Sequence, residues 1–346
     1  MEYPQLESES AAAARAGLLH GVVAAAGHAS SLDVLWSWGA AAVVPAPRAM
    51  SVDARFDIAS LTKVVATAAA CGVCIDRGWL DPDAPAIRYL PRLGQLDGQA
   101  IRVRDLATHC SGYDNRKFDG LGPAQMLRAA VETPAQWPPQ QRFEYSCRNF
   151  LVRGRIVEEL SGMDLATFCT GAVFAPLGLK DTAFGPLRAG LERVVPTEQP
   201  AGTISDGQAR TAPRAVGNAG LFSTASDLAA FCRMMLSDGR AGSARVLGDA
   251  ALSWLTRPCS PAELPRRAFG WDMRSCAENP QRPASLSDAA FGHGGWTGQT
   301  LWIDPRAGTY AVVLTNRTHC PGDPGNYDAS GRFRARLVEL LMAACA

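Results

Sequence analysis

The chain has 346 residues, 47% of them hydrophobic and 19% charged, with a formal net charge of +1; that is ample apolar material for a sizeable core in one large domain or two. Lys and Arg are scattered rather than blocked, so neither nucleic acid nor an anionic membrane is an expected partner. Ten cysteines show no disulfide or metal spacing beyond one Cys71-x-x-Cys74 pair in an apolar helical run, and they read as buried free thiols.

Free thiols fit a reducing compartment. Glu2, Glu7 and Glu9 stand where a secretory leader needs a basic start. No unbroken apolar run reaches the roughly 18 residues of a membrane span. The expectation is a cytoplasmic protein. In chain order, residues 6–19 read as an Ala-rich helix, followed by two strands at 21–28 and 32–42 joined through the turn residues of 27–31. Residues 60–77 carry a helical pattern stopped by Gly78. Pro82, Pro85 and Pro91 mark an irregular stretch. Helical patterns return at 150–161, 165–174 and 226–236, the last with Ser226 as cap and Asp227 at the positive helix end. Strand-like segments follow at 269–273, 299–303 and 310–315, with a turn at 304–308, and a closing helix spans 332–344. Strands at both ends and helices between them imply an α/β (α+β) fold. One antiparallel sheet is built from both chain ends and flanked by helices, with a mostly helical insertion. The expected division is 1–80 with 266–346 for the sheet domain and 81–265 for the helical one, the site lying in the cleft between them.

The chemistry centres on Ser60-Leu61-Thr62-Lys63. Three residues apart on a helix, Ser60 and Lys63 share one face, one turn apart, and Ser60 at the first turn sits near the positive helix end. A neutral lysine amine could take the serine proton. An ordinary lysine, with a pKa of about 10.4, is neutral in only about one molecule in 2,500 at pH 7. Bringing its pKa to about 7 takes roughly 4.6 kcal/mol of selective destabilisation of the ammonium, which burial and a positive field can supply. Lysine is also scarce: Lys63, Lys117 and Lys180 are the three among 34 basic residues. A chain that otherwise uses Arg keeps at position 63 the basic side chain that can lose its proton.

Phe56 to Lys63 resembles the nucleophile segment of the serine β-lactamase, D,D-peptidase and esterase superfamily, of the class C β-lactamase, penicillin-binding protein and family VIII carboxylesterase type. The resemblance continues in order through Val103–Gly112, Phe143–Cys147, Ala219–Leu228, Phe291–Gly298 and Leu314–Arg317. It implies a β-lactamase/transpeptidase-like fold and acylation of Ser60, with Lys63 and Tyr145 as the proton-handling pair. It also implies an oxyanion hole from the backbone N–H groups of Ser60 and Trp296. Substrate would run along Gly294 and Gly295, with His293 facing the site and Cys147 beside it. Cys147 stands where the family commonly has Asn. A thiol is a weak donor and acceptor and cannot make an amide's paired contacts, which counts against peptide and β-lactam substrates.

The expected function is an esterase-like serine hydrolase of a small-molecule ester, thioester or amide, with no cofactor and no metal. The alternatives are an acyltransferase or peptide cyclase/amidase using the same acyl-enzyme, then a β-lactamase or D,D-peptidase, and last a non-catalytic scaffold. Trp137, Trp254, Trp271 and Trp296 are candidates to shield an acyl intermediate from water. The stretches 202–206 and 217–220 resemble a loop of esterase-like members. No Gly-x-Ser-x-Gly elbow, dinucleotide fingerprint, P-loop or His-Glu-x-x-His is present.

Overall fold

The computed structural model describes residues 3–274, 280–319 and 326–345. Cys276 and Cys320 lie outside them, and the other eight cysteines are free thiols, six of them buried. Helix α1 (Pro4–Arg15) leads into β1 (Gly21–His28), β2 (Val34–Ala42) and β3 (Arg48–Ala49). The short strand β4 (Phe56–Asp57) delivers the chain to a 3-10 turn at Ala59–Leu61, a π-helical turn at Lys63–Ala68 and helix α2 (Ala69–Asp76). Then come α3 (Val103–Ala107), α4 (Pro123–Glu132), α5 (Cys147–Ser161), α6 (Leu165–Cys169), β5 (Ala183–Phe184), α7 (Gly207–Thr211), β6 (Leu221–Ser223), α8 (Ala225–Leu236), the ribbon β7 (Arg240–Ala241) and β8 (Ala244–Arg245), and α9 (Asp249–Thr256). The chain returns as β9 (Phe291–Gly295), β10 (Gln299–Asp304), β11 (Thr309–Thr315) and α10 (Tyr327–Ala344).

The main sheet has the order β3-β2-β1-β11-β10-β9 and is antiparallel throughout. First and last parts of the chain meet at its centre, where Val22 pairs Thr315 and His28 pairs Thr309. The sheet expected from both chain ends is therefore present. Strands β1, β10 and β11 are buried on both faces because α1 and α10 cover one side with Leu6, Leu337 and Leu341. On the other side Val23, Ile303 and Val312 join Leu61, Val65, Leu106, Val152 and Leu228 in one apolar cluster, so the helices share a continuous core with the sheet.

Several boundaries differ from the expectation, each for a local reason. Helix α1 ends at Arg15, with Ala16 as its C-cap, because Gly17 takes a left-handed turn at φ +72°. Residues 269–273 form no strand. Gly270 at φ +110° breaks the extended run, and Asp272 alone bridges Gly292 of β9. Helix α8 is capped by Thr224, whose side chain accepts from the Asp227 N–H, rather than by Ser226. Helix α10 begins at Tyr327, earlier than 332. The run Ala59–Asp76 does reach the length and apolarity of a membrane span, with mean hydropathy 1.4, but 89% of it is buried inside the protein. It is a core helix that carries the Ser60–Lys63 segment into the interior.

Candidate active site

Strand β4 positions the site. The Asp57 carboxylate accepts the Ala59 N–H on one oxygen and the Ser205 N–H on the other, both at 2.8 Å. These bonds hold Ala59 at φ +44°, a left-handed conformation costly for a residue with a Cβ, and the next residue is Ser60. The Asp57 carbonyl accepts from Thr297 Oγ1 and Gln299 Nε2, tying the same turn to the β9–β10 connection. Gly295 comes so close that a Cβ there would lie 2.8 Å from the Ile58 carbonyl. The end of β9, with Trp296 just beyond it, is thus packed onto the serine turn.

Lys63 is fully buried. Its Nζ donates to Ser60 Oγ and the Asn218 carbonyl, both at 2.9 Å, and to Cys147 Sγ at 3.6 Å. Tyr145 Oη donates to the same Ser60 Oγ at 3.1 Å. Ser60 Oγ is therefore an acceptor twice over, the arrangement that favours its alkoxide. The Tyr145 ring lies against buried His109, centroids 4.6 Å apart. His109 Nδ1 takes the Ser146 N–H at 3.1 Å and faces Asn149 Nδ2 at 3.2 Å, and Ser111 Oγ donates to Asn149 Oδ1. This polar chain fixes the tyrosine from behind.

Burial works to discharge the Lys63 ammonium, but the Cys147 sulfur, the Tyr145 oxygen and the Asp206 carboxylate oppose it, and the sum holds Lys63 above the ordinary lysine range. Burial also holds the Tyr145 phenol above its usual value, although Lys63 pulls it down. This corrects the expectation of a lysine driven towards neutrality: its neighbours outweigh its burial. Burial, reinforced by Arg267 and Lys63, lowers His293 to about 3, and it lowers His109 well below the usual imidazole value. Both imidazoles are neutral.

The cleft over Ser60 has a volume of about 510 Å³ and is lined by Tyr145, Cys147, Gly294 and Trp296 among the residues expected from the sequence. His293 and Gly295 do not line it. His293 is 5% exposed, hydrogen-bonds the Gly294 carbonyl through Nδ1, and lies behind Tyr145 with ring centroids 6.1 Å apart. Of the four tryptophans, Trp296 alone lines the cleft; it is 48% exposed and stacks on Tyr327 at 5.5 Å. Trp271 and Trp254 pack on core aromatics, and Trp137 meets Arg142.

Other lining residues went unassigned by sequence reasoning: Asn115, Lys117, Glu198, Ser205, Asp206 and Tyr327. Lys117 carried a signal in its rarity, and Ser205 and Asp206 in the 202–206 stretch. Asn115 carried none, yet its Oδ1 accepts the Cys147 N–H at 2.9 Å and puts an amide on the wall where Cys147 lacks one. Among the described residues no group of three or more His, Cys, Asp or Glu side chains could hold a metal.

A Salmonella schwarzengrund protein provisionally named a D-alanyl-D-alanine carboxypeptidase is 28% identical over 313 residues, 80% of this chain and 72% of that one. The structure of EstCE1, described as a hydrolase with promiscuous acyltransferase activity, superposes with TM-score 0.75 at 21% identity, covering 96% of this chain and 97% of that one. Unliganded simvastatin synthase (LovD) from Aspergillus terreus gives TM-score 0.74 at 20% identity, covering 99% and 98%. The family model described as Beta-lactamase matches residues 10–332. On that match, and with the sheet, serine turn and cleft in place, the chain belongs to the Beta-lactamase family.

Proposed function

We propose that the protein is a carboxylester hydrolase working through an acyl-Ser60 intermediate. The observation that carries this reading is the convergence of Lys63 Nζ and Tyr145 Oη on Ser60 Oγ, at 2.9 and 3.1 Å, at the floor of an open cleft. In the productive state the Ser60–Lys63–Tyr145 unit is one proton short. Ser60 Oγ bonds to the substrate carbonyl carbon, and the carbonyl π electrons move to its oxygen. The Ser60 and Trp296 N–H groups receive that oxyanion. Collapse of the adduct breaks the ester C–O bond, and the leaving alkoxide takes a proton from the unit through Tyr145. Water then loses a proton to the unit and attacks the acyl carbon; the bond from that carbon to Ser60 Oγ breaks, the electron pair returns to Oγ, and the acid is released.

Cys147 favours an ester over a peptide or β-lactam, because a thiol cannot hold an amide side chain through two strong hydrogen bonds. The buried thiols support a reducing, cytoplasmic setting. A second reading, transfer of the acyl group to an alcohol or amine, is favoured by the exposed Trp296 stacked on Tyr327 in the cleft. This flat aromatic surface suits an acceptor molecule. The test is hydrolysis of 4-nitrophenyl butyrate with intact-mass detection of the acyl-enzyme. Activity and adduct should both vanish in Ser60→Ala; equal turnover by the two proteins rejects the mechanism. Added alcohol that diverts product into a new ester identifies the transferase reading.

A further inference from the structure

Beside the catalytic cleft lies a larger groove, of about 1040 Å³, whose walls come from two separate stretches, 42–48 and 191–201, with Thr318 and His319 also lining it. It adjoins the cleft at Glu198, which lines both. The exposed lining is mostly apolar, with Val44, Pro45, Ala46 and Pro47 on one wall and Leu191 and Pro200 on the other, while Arg48, Glu192, Glu198 and Gln199 add polar groups. Val44 and Leu191 are among the exposed large apolar side chains, at 53% and 38%. His319 is the single ring among the described aromatic and imidazole side chains of the lining, so the groove offers no stacking platform.

The walls are pinned to each other. His319 Nε2 accepts the Val43 N–H at 3.0 Å, which leaves Nδ1 to face the Thr197 carbonyl at 3.4 Å. Arg48 Nη2 donates to the Val194 carbonyl across the same gap at 2.5 Å. These bonds join the 42–48 segment to the 191–201 segment from both ends, so the groove is a built trough. Its volume reaches the upper end of the roughly 300–1,000 Å³ typical of small-ligand sites.

The tetrahedral carbon has four substituents. One is Ser60 Oγ, one is the oxyanion directed at the Ser60 and Trp296 N–H groups, and one is the leaving oxygen, which must face Tyr145 to recover a proton. The acyl chain is the fourth, and the cleft lining open to it includes Ser205 and Glu198, the residue shared with the groove. Ser205 Oγ holds Glu198 Oε1 at 2.6 Å there. A carboxylate at that junction disfavours a second anionic group on the chain.

Resting on the ester hydrolase reading above, we propose that the groove takes a neutral aliphatic acyl chain, so that the preferred substrates are medium- to long-chain esters. The experiment compares kcat/KM for 4-nitrophenyl acetate and decanoate in the wild type and in Val44→Glu and Leu191→Glu with Ser60 intact. It also measures equilibrium binding of butyrate and decanoate to the Ser60→Ala protein by calorimetry, in the otherwise wild-type background and with Val44→Glu or Leu191→Glu. The decanoate-to-acetate ratio should be at least tenfold, and decanoate should bind at least tenfold tighter than butyrate. Either glutamate should bring both ratios down towards one. If esters turn over but the ratio is near one, the groove is not an acyl site and the hydrolase reading stands. If no ester turns over, the hydrolase reading falls and the binding ratio alone decides the groove: near one overturns it, tenfold sustains it.

Discussion

Asp57 offers the sharpest separation of positioning from stability. It is 1% exposed, and burial, opposed by the Ser205 and Ala59 N–H groups, raises its pKa from 3.8 to about 6. The difference corresponds to about 3 kcal/mol. An acid whose folded value exceeds its unfolded value binds the proton more tightly when folded. Its ionised form therefore burdens the fold by about 3 kcal/mol above pH 6, and about 1 kcal/mol of that is relieved by pH 5. Activity should move the opposite way. A protonated carboxyl carries a donor and cannot accept from both N–H groups, so the Ala59–Ser60 turn loses one restraint. Asp57→Asn imitates that state at every pH: it leaves one buried N–H unpaired at a cost of about 1–3 kcal/mol and removes the ionisation burden. The two changes nearly cancel, and urea unfolding at pH 8 should place the variant within about 2 kcal/mol of wild type. Its kcat/KM should nevertheless fall about 100-fold, the scale of a misplaced reacting group. In wild type the plot of log kcat/KM against pH should steepen below pH 6; in D57N that break should be absent. A variant with wild-type kcat/KM and the same break near pH 6 would refute the positioning role.

Tyr145→Phe keeps the ring against His109 and removes the hydroxyl from Ser60 Oγ; kcat/KM should drop by about 10²–10⁴, as for loss of a general acid–base group, with the urea midpoint little changed. A loss under fivefold would exclude Tyr145 from proton handling. Because Lys63 and Tyr145 are both held above their ordinary values, wild-type kcat/KM should still be rising at pH 8, and a plateau from pH 6.5 upward would contradict this. Cys147→Asn supplies an amide beside Lys63 and should raise acylation by a chromogenic cephalosporin about tenfold relative to a short ester, the worth of one hydrogen bond of about 1.4 kcal/mol; no gain would show that Cys147 does not set this preference. His293, lowered from 6.5 to about 3, refuses a proton that the unfolded chain accepts. Its contribution is complete above pH 6.5 and is lost as pH falls, by about 2 kcal/mol at pH 5. His293→Gln should make the pH 7 to pH 5 decline in unfolding free energy shallower by that amount, and an unchanged decline would place the proton elsewhere.

The sheet was legible because β1, β10 and β11 are short apolar segments bounded by turn residues, as expected of strands buried on both faces, and the turn residues at 304–308 mark the hairpin. The Ser60–Lys63 contact was legible because the two residues lie three apart on one local element, so their meeting needs no knowledge of the rest of the fold. Tyr145 and Trp296 came from ordered resemblance alone; nothing local in Phe143–Cys147 foretells that Tyr145 lands 3.1 Å from a serine 85 residues earlier. Asp57, Asn115 and Asn218 were missed for a related reason. Their work is done by backbone-directed bonds between distant segments, and a carbonyl such as that of Asn218 carries no side-chain signature at all. His293 failed in the other direction: a strand alternates sides, but the side facing Tyr145 proved to be a buried layer behind the cleft.

The larger departure concerns where the missing proton resides. Sequence reasoning placed it on Lys63, because a buried amine ought to lose its charge. The structure surrounds that amine with three acceptors, at 2.9, 2.9 and 3.6 Å, enough for an ammonium to use all its hydrogens. Two of those contacts, to the Asn218 carbonyl and to Cys147, fix the amine whether or not it is charged. The third, to Ser60 Oγ, strengthens as negative charge grows on that oxygen, and Tyr145 Oη adds a second donor to the same atom. A unit one proton short can therefore carry its deficit on the serine oxygen between two donors, with the lysine still charged. The site then needs no neutral lysine as a separate species. What it requires is that Lys63 and Tyr145 both stay within bonding distance of one oxygen, which the polar chain behind Tyr145 and the Asp57 bonds beneath Ser60 provide.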